Sequence, residues 1–235
     1  MDLRALDLTE LTTGRTAFRD RFVVAPNTPL NGDPTPLKWS ELAYAVSLVP
    51  GPLGRGVIVF LGLENTTIRY GISVVPWTRV DGDERRFDLP DNPDLLVHDL
   101  GLTPITSTQW DPMRNAYLSA IRVDRVNGFD ALNALDSRCI IQPWEDQLLA
   151  MHDQNTPYAG VPHVFLSNIS LQYTNADGGN TGYRHQVAFS MADEERGTYT
   201  ELVDNAIYLT DFRRRATDRG TGCPPRCEAY VMPKR

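Results

Sequence analysis

Cysteine is scarce in this chain: Cys139, Cys223 and Cys227 are the only three in 235 residues. So few, and odd in number, they do not make the disulfide framework of a small secreted scaffold, and an intracellular setting is the expectation. Lysine is scarcer still, with Arg outnumbering Lys 21 to 2. That bias fits a GC-rich coding sequence, or an assembly that uses the bidentate pairing of guanidinium with carboxylate. Long hydrophobic runs are missing as well. The apolar stretch 57–63 ends at Glu64, far short of the roughly 18 residues that a membrane-spanning helix needs. Residues 1–10 carry Asp2, Asp7 and Glu10 and lack the basic and apolar regions of a secretory signal. The expected location is therefore cytoplasmic or within an assembled particle. Two N-x-S/T matches, at Asn65 and Asn168, carry no weight without export.

Motif chemistry is equally sparse. No glycine fingerprint joins a strand to a helix, which excludes a dinucleotide-binding unit and a P-loop. No G-x-S-x-G elbow, no S-x-x-K and no motif-embedded cysteine beside a histidine occurs, which disfavours the corresponding hydrolases. The four histidines, His98, His152, His163 and His185, show no H-x-H or H-E-x-x-H spacing, although scattered histidines can converge in a cupin-like barrel. Cys223-Pro224-Pro225-Arg226-Cys227 offers two thiolates four residues apart. Tetrahedral zinc would need two further ligands, from Cys139 or a histidine; otherwise the two are free thiols in an exposed tail. The 30 acidic residues allow many carboxylate pairs at glycosidase separations and single out none. Trp39, Trp77, Trp110 and Trp144 are sugar-stacking platforms if exposed and core residues if not.

What the chain does have is extended patterning. Hydrophobic residues make up 41 % and charged residues 23 %, which suits a folded domain. Asp7-Leu8-Thr9-Glu10 reads as a capping box opening a short helix that Gly14 would stop. Residues 26–36 contain four prolines and are expected to be a surface arm. Residues 42–48 alternate large with small side chains, predicting a strand with Leu42, Tyr44, Val46 and Leu48 on one face. Residues 57–63 read as a strand buried on both faces. Residues 67–75 read as a half-exposed strand with Ile68, Tyr70, Ile72 and Val74 inward, completing a hairpin. The Asp-, Pro- and Gly-rich stretch 76–112 is expected to be a long loop, and 117–126 a further alternating strand.

Residues 138–142 suggest a short buried strand, followed by a helix starting at Pro143 with Trp144, Leu148 and Met151 on one face. Residues 163–173 and 183–191 predict a long hairpin, 193–197 a turn, and 201–212 a last strand. The expectation is an all-β, or β-rich α+β, fold: an antiparallel β-sandwich of jelly-roll type with two short helices. Residues 1–211 form a single domain and 212–235 a basic tail.

Formal charge is −7, unevenly spread. Residues 212–235 hold seven Arg or Lys against two acids, a balance of +5, while the rest carries 16 basic and 28 acidic residues, a balance of −12. The body should repel nucleic acid and the tail attract it. Arg213, Arg214, Arg215 and Arg219 are the candidate contacts to a phosphate or an acidic partner. No catalytic residue, cofactor or metal is expected. The function that follows is a non-enzymatic structural subunit of a large assembly, such as a viral or phage particle, with copies of itself or other subunits as partners. A carbohydrate-binding or sugar-active protein and a metal-dependent cupin-like enzyme are the alternatives.

Overall fold

The computed structural model describes residues 8–20, 34–81, 84–88, 97–98, 103–123, 139–149, 152, 162–174, 181–201, 221–223 and 229–233. Strands dominate, and all their pairings are antiparallel, in three sheets. The first has the order β1 (Thr35–Lys38), β9 (His163–Thr174), β10 (Thr181–Glu195), β11 (Thr198–Glu201). The second runs β12 (Thr221–Cys223), β8 (Cys139–Pro143), β2 (Arg55–Glu64), β3 (Thr67–Pro76), β6 (Val97–His98), β7 (Pro104–Ile105). The third consists of β13 (Ala229–Pro233), β5 (Glu84–Asp88) and β4 (Arg79–Asp81). Three helices, α1 (Leu8–Phe18), α2 (Trp39–Ser47) and α3 (Ser107–Val123), and a π-helical stretch over Trp144–Leu149 complete the described chain.

One apolar cluster joins the first two sheets. It takes Val57, Val59, Leu61 and Leu63 from β2, Ile68, Tyr70 and Ile72 from β3, and Val164, Leu166, Val187, Phe189 and Met191 from the β9–β10 hairpin. The β2–β3 register explains the first half, since Val57 faces Val74, Val59 faces Ile72, Leu61 faces Tyr70 and Leu63 faces Ile68. Partners directly opposite share a face, so one side of the hairpin is a continuous apolar surface. β2 is buried from Gly56 to Leu63, as its unbroken apolar run predicted. Its second face is covered in part by α3: a Cβ on Gly62 would lie 3.0 Å from Trp110 Cη2 and 3.1 Å from Met113 Cβ. On β3, Gly71 and Ser73 are buried as well, where a half-exposed strand would leave them in solvent.

Two predicted strands are helices. Residues 42–48 fall mostly in α2, where Trp39, Leu42 and Val46 are buried at i, i+3 and i+7. A seven-residue window accommodates both periods, and Ala43, Ala45 and Glu41 favour the helical one. The same change of period puts Tyr44 and Leu48 outside. Residues 117–123 belong to α3, which begins inside the expected long loop. Its start is a capping box: the Gln109 amide donates to Thr106 Oγ1 at 3.3 Å, and the Thr106 amide donates to Gln109 Oε1 at 3.0 Å. Among its described side chains Trp110 and Tyr117, seven apart, are buried, and Pro112 lies within it.

Other boundaries moved too. α1 does not stop at Gly14; Leu11, Gly14 and Phe18 form its buried face. The end of the proline-rich arm, Thr35 and Pro36, is already in β1, paired with Leu166 and Phe165 of β9. Pro36 is tolerated because β1 lies at the edge of its sheet. The stretch expected as a loop after Pro76 also contains β4 to β7. Pro143 ends β8, and Trp144 and Leu148 are buried on a π-helix. The β9–β10 hairpin is as expected. The turn near 193–197 narrows to Arg196 and Gly197, both at positive φ (54° and 80°), as a two-residue hairpin of primed type requires. The segment expected to be a tail supplies two strands, β12 against β8 and β13 against β5. Of the expected strand 201–212 only Glu201 is described, as the end of β11.

Candidate functional site

The inward face of the β9–β10 hairpin changes character along its length. Val164 opposite Met191 and Leu166 opposite Phe189 are apolar; next come Asn168 opposite Val187 and Ser170 opposite His185. All are buried. Period-2 alternation thus carries three polar side chains into the interior, where each needs a partner because an unpaired buried polar group costs about 1–3 kcal/mol.

His185 and Asn168 find theirs, while Ser170 Oγ has no hydrogen-bond partner among the described residues. His185 Nδ1 lies 2.5 Å from the Tyr117 hydroxyl of α3, and His185 Nε2 lies 2.8 Å from Asn168 Oδ1. An amide oxygen only accepts, so Nε2 carries the proton; in the neutral imidazole Nδ1 is then the acceptor, and the Tyr117 O–H donates to it. The Phe18 ring covers the imidazole at 4.8 Å between centroids. Burial pushes the Tyr70 phenol above its ordinary pKa of 10.0, while the neighbouring Asn168 side chain pulls the other way. The hydroxyl itself makes no hydrogen bond of normal geometry among the described residues. Helix α3, the β9–β10 hairpin and α1 therefore meet around one imidazole.

The network also sets register. Sliding β10 by two residues along β9, so that His185 faced Gln172 instead of Ser170, would keep every apolar position inward and still carry His185 away from Asn168. Apolar alternation leaves that slip open, and the polar chain closes it.

A second polar cluster ties α1 to β9, β10 and β11. Arg15 donates to both Glu201 carboxylate oxygens, at 2.8 and 2.6 Å, and to Ser167 Oγ at 2.6 Å; Ser190 Oγ donates to Glu201 Oε1. The Glu201 side chain is 7 % exposed and Arg15 25 %, so the pair is largely shielded from solvent. Close by on the same sheet, His163 Nε2 lies 3.6 Å from Glu194 Oε2 and meets the edge of Tyr199. Near α2, Trp39 is stacked between Trp144 at 4.9 Å and His152 at 4.1 Å. Glu145 accepts from the Arg55 amide and from Arg55 Nε, both at 2.8 Å.

The sequence candidates fare as follows. All four tryptophans are buried, so the indole faces wanted for sugar stacking pack inside the protein. His163 and His185 lie on opposite faces of one sheet, His152 stacks on Trp39, and His98 pairs in register with Ile72. Among the described residues no three His, Cys, Asp or Glu side chains are grouped as a metal site. No helix of the described residues is long and apolar enough to cross a membrane. Arg213, Arg214, Arg215 and Arg219 lie outside the described residues. Sequence reasoning does not reach the Tyr117–His185–Asn168 chain, because the alternation over 117–126 fits a strand.

It also missed an exposed apolar corner. Tyr44 is 65 % exposed and Leu48 64 %, one turn apart at the end of α2, and Leu53 in the following turn is 44 % exposed. These are three of the four large hydrophobic residues exposed among the described residues, the fourth being Tyr199. All three fall within ten residues of sequence, so they mark one region and are not scattered over the surface. Compared with protein-family models, curated proteins and solved structures, the chain matches none.

Proposed function

We propose that the chain is a non-enzymatic structural subunit of a larger protein assembly, of the kind that builds a viral or phage particle, and that its α2 corner contacts copies of itself or other subunits. The observation that carries this reading is the grouping of Tyr44, Leu48 and Leu53 in solvent, since aromatic and aliphatic side chains exposed together are what a subunit contact buries. Antiparallel sheets sharing one core suit a sandwich of jelly-roll type, a build that presents edges and arms to neighbours. The acidic body keeps such a subunit soluble. The basic stretch 212–235, with Arg213, Arg214, Arg215 and Arg219, reaches phosphate or an acidic neighbour.

Size-exclusion chromatography with light scattering over a range of protein concentration and salt tests this. The expected result is a concentration-dependent oligomer that Tyr44→Ser with Leu48→Ser shifts toward monomer, at little cost in folding because both side chains are already exposed. A protein that stays monomeric at every concentration and salt would overturn the proposal.

A further inference from the structure

The sheet register brings together two of the three cysteines. Strand β12 runs antiparallel to β8 with Thr221 opposite Ile141, Gly222 opposite Ile140 and Cys223 opposite Cys139. Directly opposed residues of an antiparallel pair have Cα atoms about 4.5 or 5.5 Å apart. Both values fall in the range of about 4.4–6.8 Å over which a disulfide forms without backbone movement. The third cysteine, Cys227, follows four residues after Cys223 in the sequence. The two strands differ in how firmly they are held. β8 pairs on its other side with β2, from Gly56–Pro143 to Phe60–Cys139, whereas β12 is three residues long and lies at the sheet edge. A strand that short holds to its neighbour through few backbone hydrogen bonds, and it is where a covalent link has most to add.

We propose that Cys139 and Cys223 form a redox-responsive cross-strand dithiol, oxidised by exchange with a small-molecule disulfide such as glutathione disulfide, which fastens the basic C-terminal segment to β8. One cysteine loses its proton to solvent, and its thiolate attacks a sulfur of glutathione disulfide, expelling one glutathione thiolate and leaving a mixed disulfide. The second cysteine, likewise deprotonated, attacks the protein sulfur of that mixed disulfide and expels the second glutathione. Two cysteine thiols are oxidised and one disulfide is reduced to two thiols, so atoms and electrons balance. The competing bond, Cys223 to Cys227, encloses Pro224, Pro225 and Arg226, a ring in which two prolines restrict the turn.

The full chain, without substitutions, tests this directly. It is equilibrated in buffers of defined glutathione disulfide to glutathione ratio, alkylated, digested with trypsin without reductant and read by mass spectrometry. Cleavage after Arg138, Arg184, Arg219, Arg226 and Lys234 leaves the three cysteines in separate peptides, 139–184, 220–226 and 227–234. The expected product under oxidising conditions is 139–184 joined to 220–226, with Cys227 alkylated; it persists in Cys227→Ser and disappears with dithiothreitol. Peptide 220–226 joined to 227–234, peptide 139–184 joined to 227–234, or three alkylated cysteines at the most oxidising ratio would each overturn the proposal.

Discussion

Replacing Tyr117 by Phe removes one oxygen from the centre of the core and leaves the ring in place. The ring is fully buried, so no cavity of consequence opens and the loss centres on the hydrogen bond with His185 Nδ1. That nitrogen is the acceptor, because Nε2 is committed to Asn168 Oδ1. Once the hydroxyl is gone, Nδ1 is a buried acceptor without that donor. A neutral hydrogen bond is worth about 0.5–1.5 kcal/mol net, and a stranded buried partner about 1–3 kcal/mol; the second figure governs here. For a chain of this length each kcal/mol moves the midpoint of thermal unfolding by about 2–4 °C, so Tyr117→Phe should lower it by roughly 2 to 12 °C. Urea unfolding followed by tryptophan fluorescence measures the same quantity, with all four indoles buried in the native state. The midpoint should fall with the slope unchanged. His185→Leu combined with Tyr117→Phe removes both partners, and the double change should cost less than the sum of the single ones. A single-variant midpoint equal to that of the parent protein, or strict additivity in the double variant, would refute the assignment of Tyr117 as donor to His185.

Further expectations rest on other parts of the structure. Gly62→Val places a branched side chain where a Cβ alone would already lie 3.0 Å from Trp110 and 3.1 Å from Met113; a loss of about 1–3 kcal/mol in denaturant unfolding is expected, while Gly197→Ala, open in space but at φ 80°, should show backbone strain only. Arg15→Met leaves Glu201, a 7 % exposed side chain, with Ser190 but without its guanidinium. The expected cost is about 1–3 kcal/mol, between exposed and fully buried pairs, and Glu201→Gln in the same background should recover part of it. Tyr70 gives a pH dependence. Its folded pKa is raised above 10.0, so the stabilisation is complete below pH 10.0 and lost as pH rises through and beyond that value, where the unfolded chain releases a proton that the folded one holds. Stability measured between about pH 9 and 11 should decline, and Tyr70→Phe should flatten the decline; an unchanged slope in that variant would place the titration elsewhere.

The two hairpins β2–β3 and β9–β10 were legible because their signals are local and redundant: long alternating or continuous apolar runs bounded by turn residues. Residues 42–48 were not, since Leu42, Tyr44, Val46 and Leu48 fit a period of two as well as Trp39, Leu42 and Val46 fit 3.6. The deciding interaction is tertiary, the stacking of Trp39 on Trp144 and His152. α3 is a different case. Its capping box, Thr106-Ser107-Thr108-Gln109, stood in the sequence with the right residues at the right spacing, and Trp110 and Tyr117 repeated at two helical turns behind it. Surrounding Asp, Pro and Gly, and Pro112 inside the helix, masked a start signal that is specific when read by itself.

Both the apolar corner and the buried polar chain depend on that choice of period. A strand over 42–48 would have buried Tyr44 and Leu48 together with Leu42 and Val46, and the apolar corner would not exist. A strand starting at residue 117 would have placed Tyr117 on a sheet, whereas the helix carries it to His185. The buried imidazole is then explained from both ends: alternation along β10 drives it inward, and the capped α3 brings the hydroxyl that satisfies it. The interior polar chain helps select the register of the hairpin, so what it fixes is geometry within the chain. The exposed corner of α2 lies off the helix face that buries Trp39, Leu42 and Val46, and the contact proposed for it would cover Tyr44 and Leu48, at i and i+4, which folding leaves 65 % and 64 % exposed.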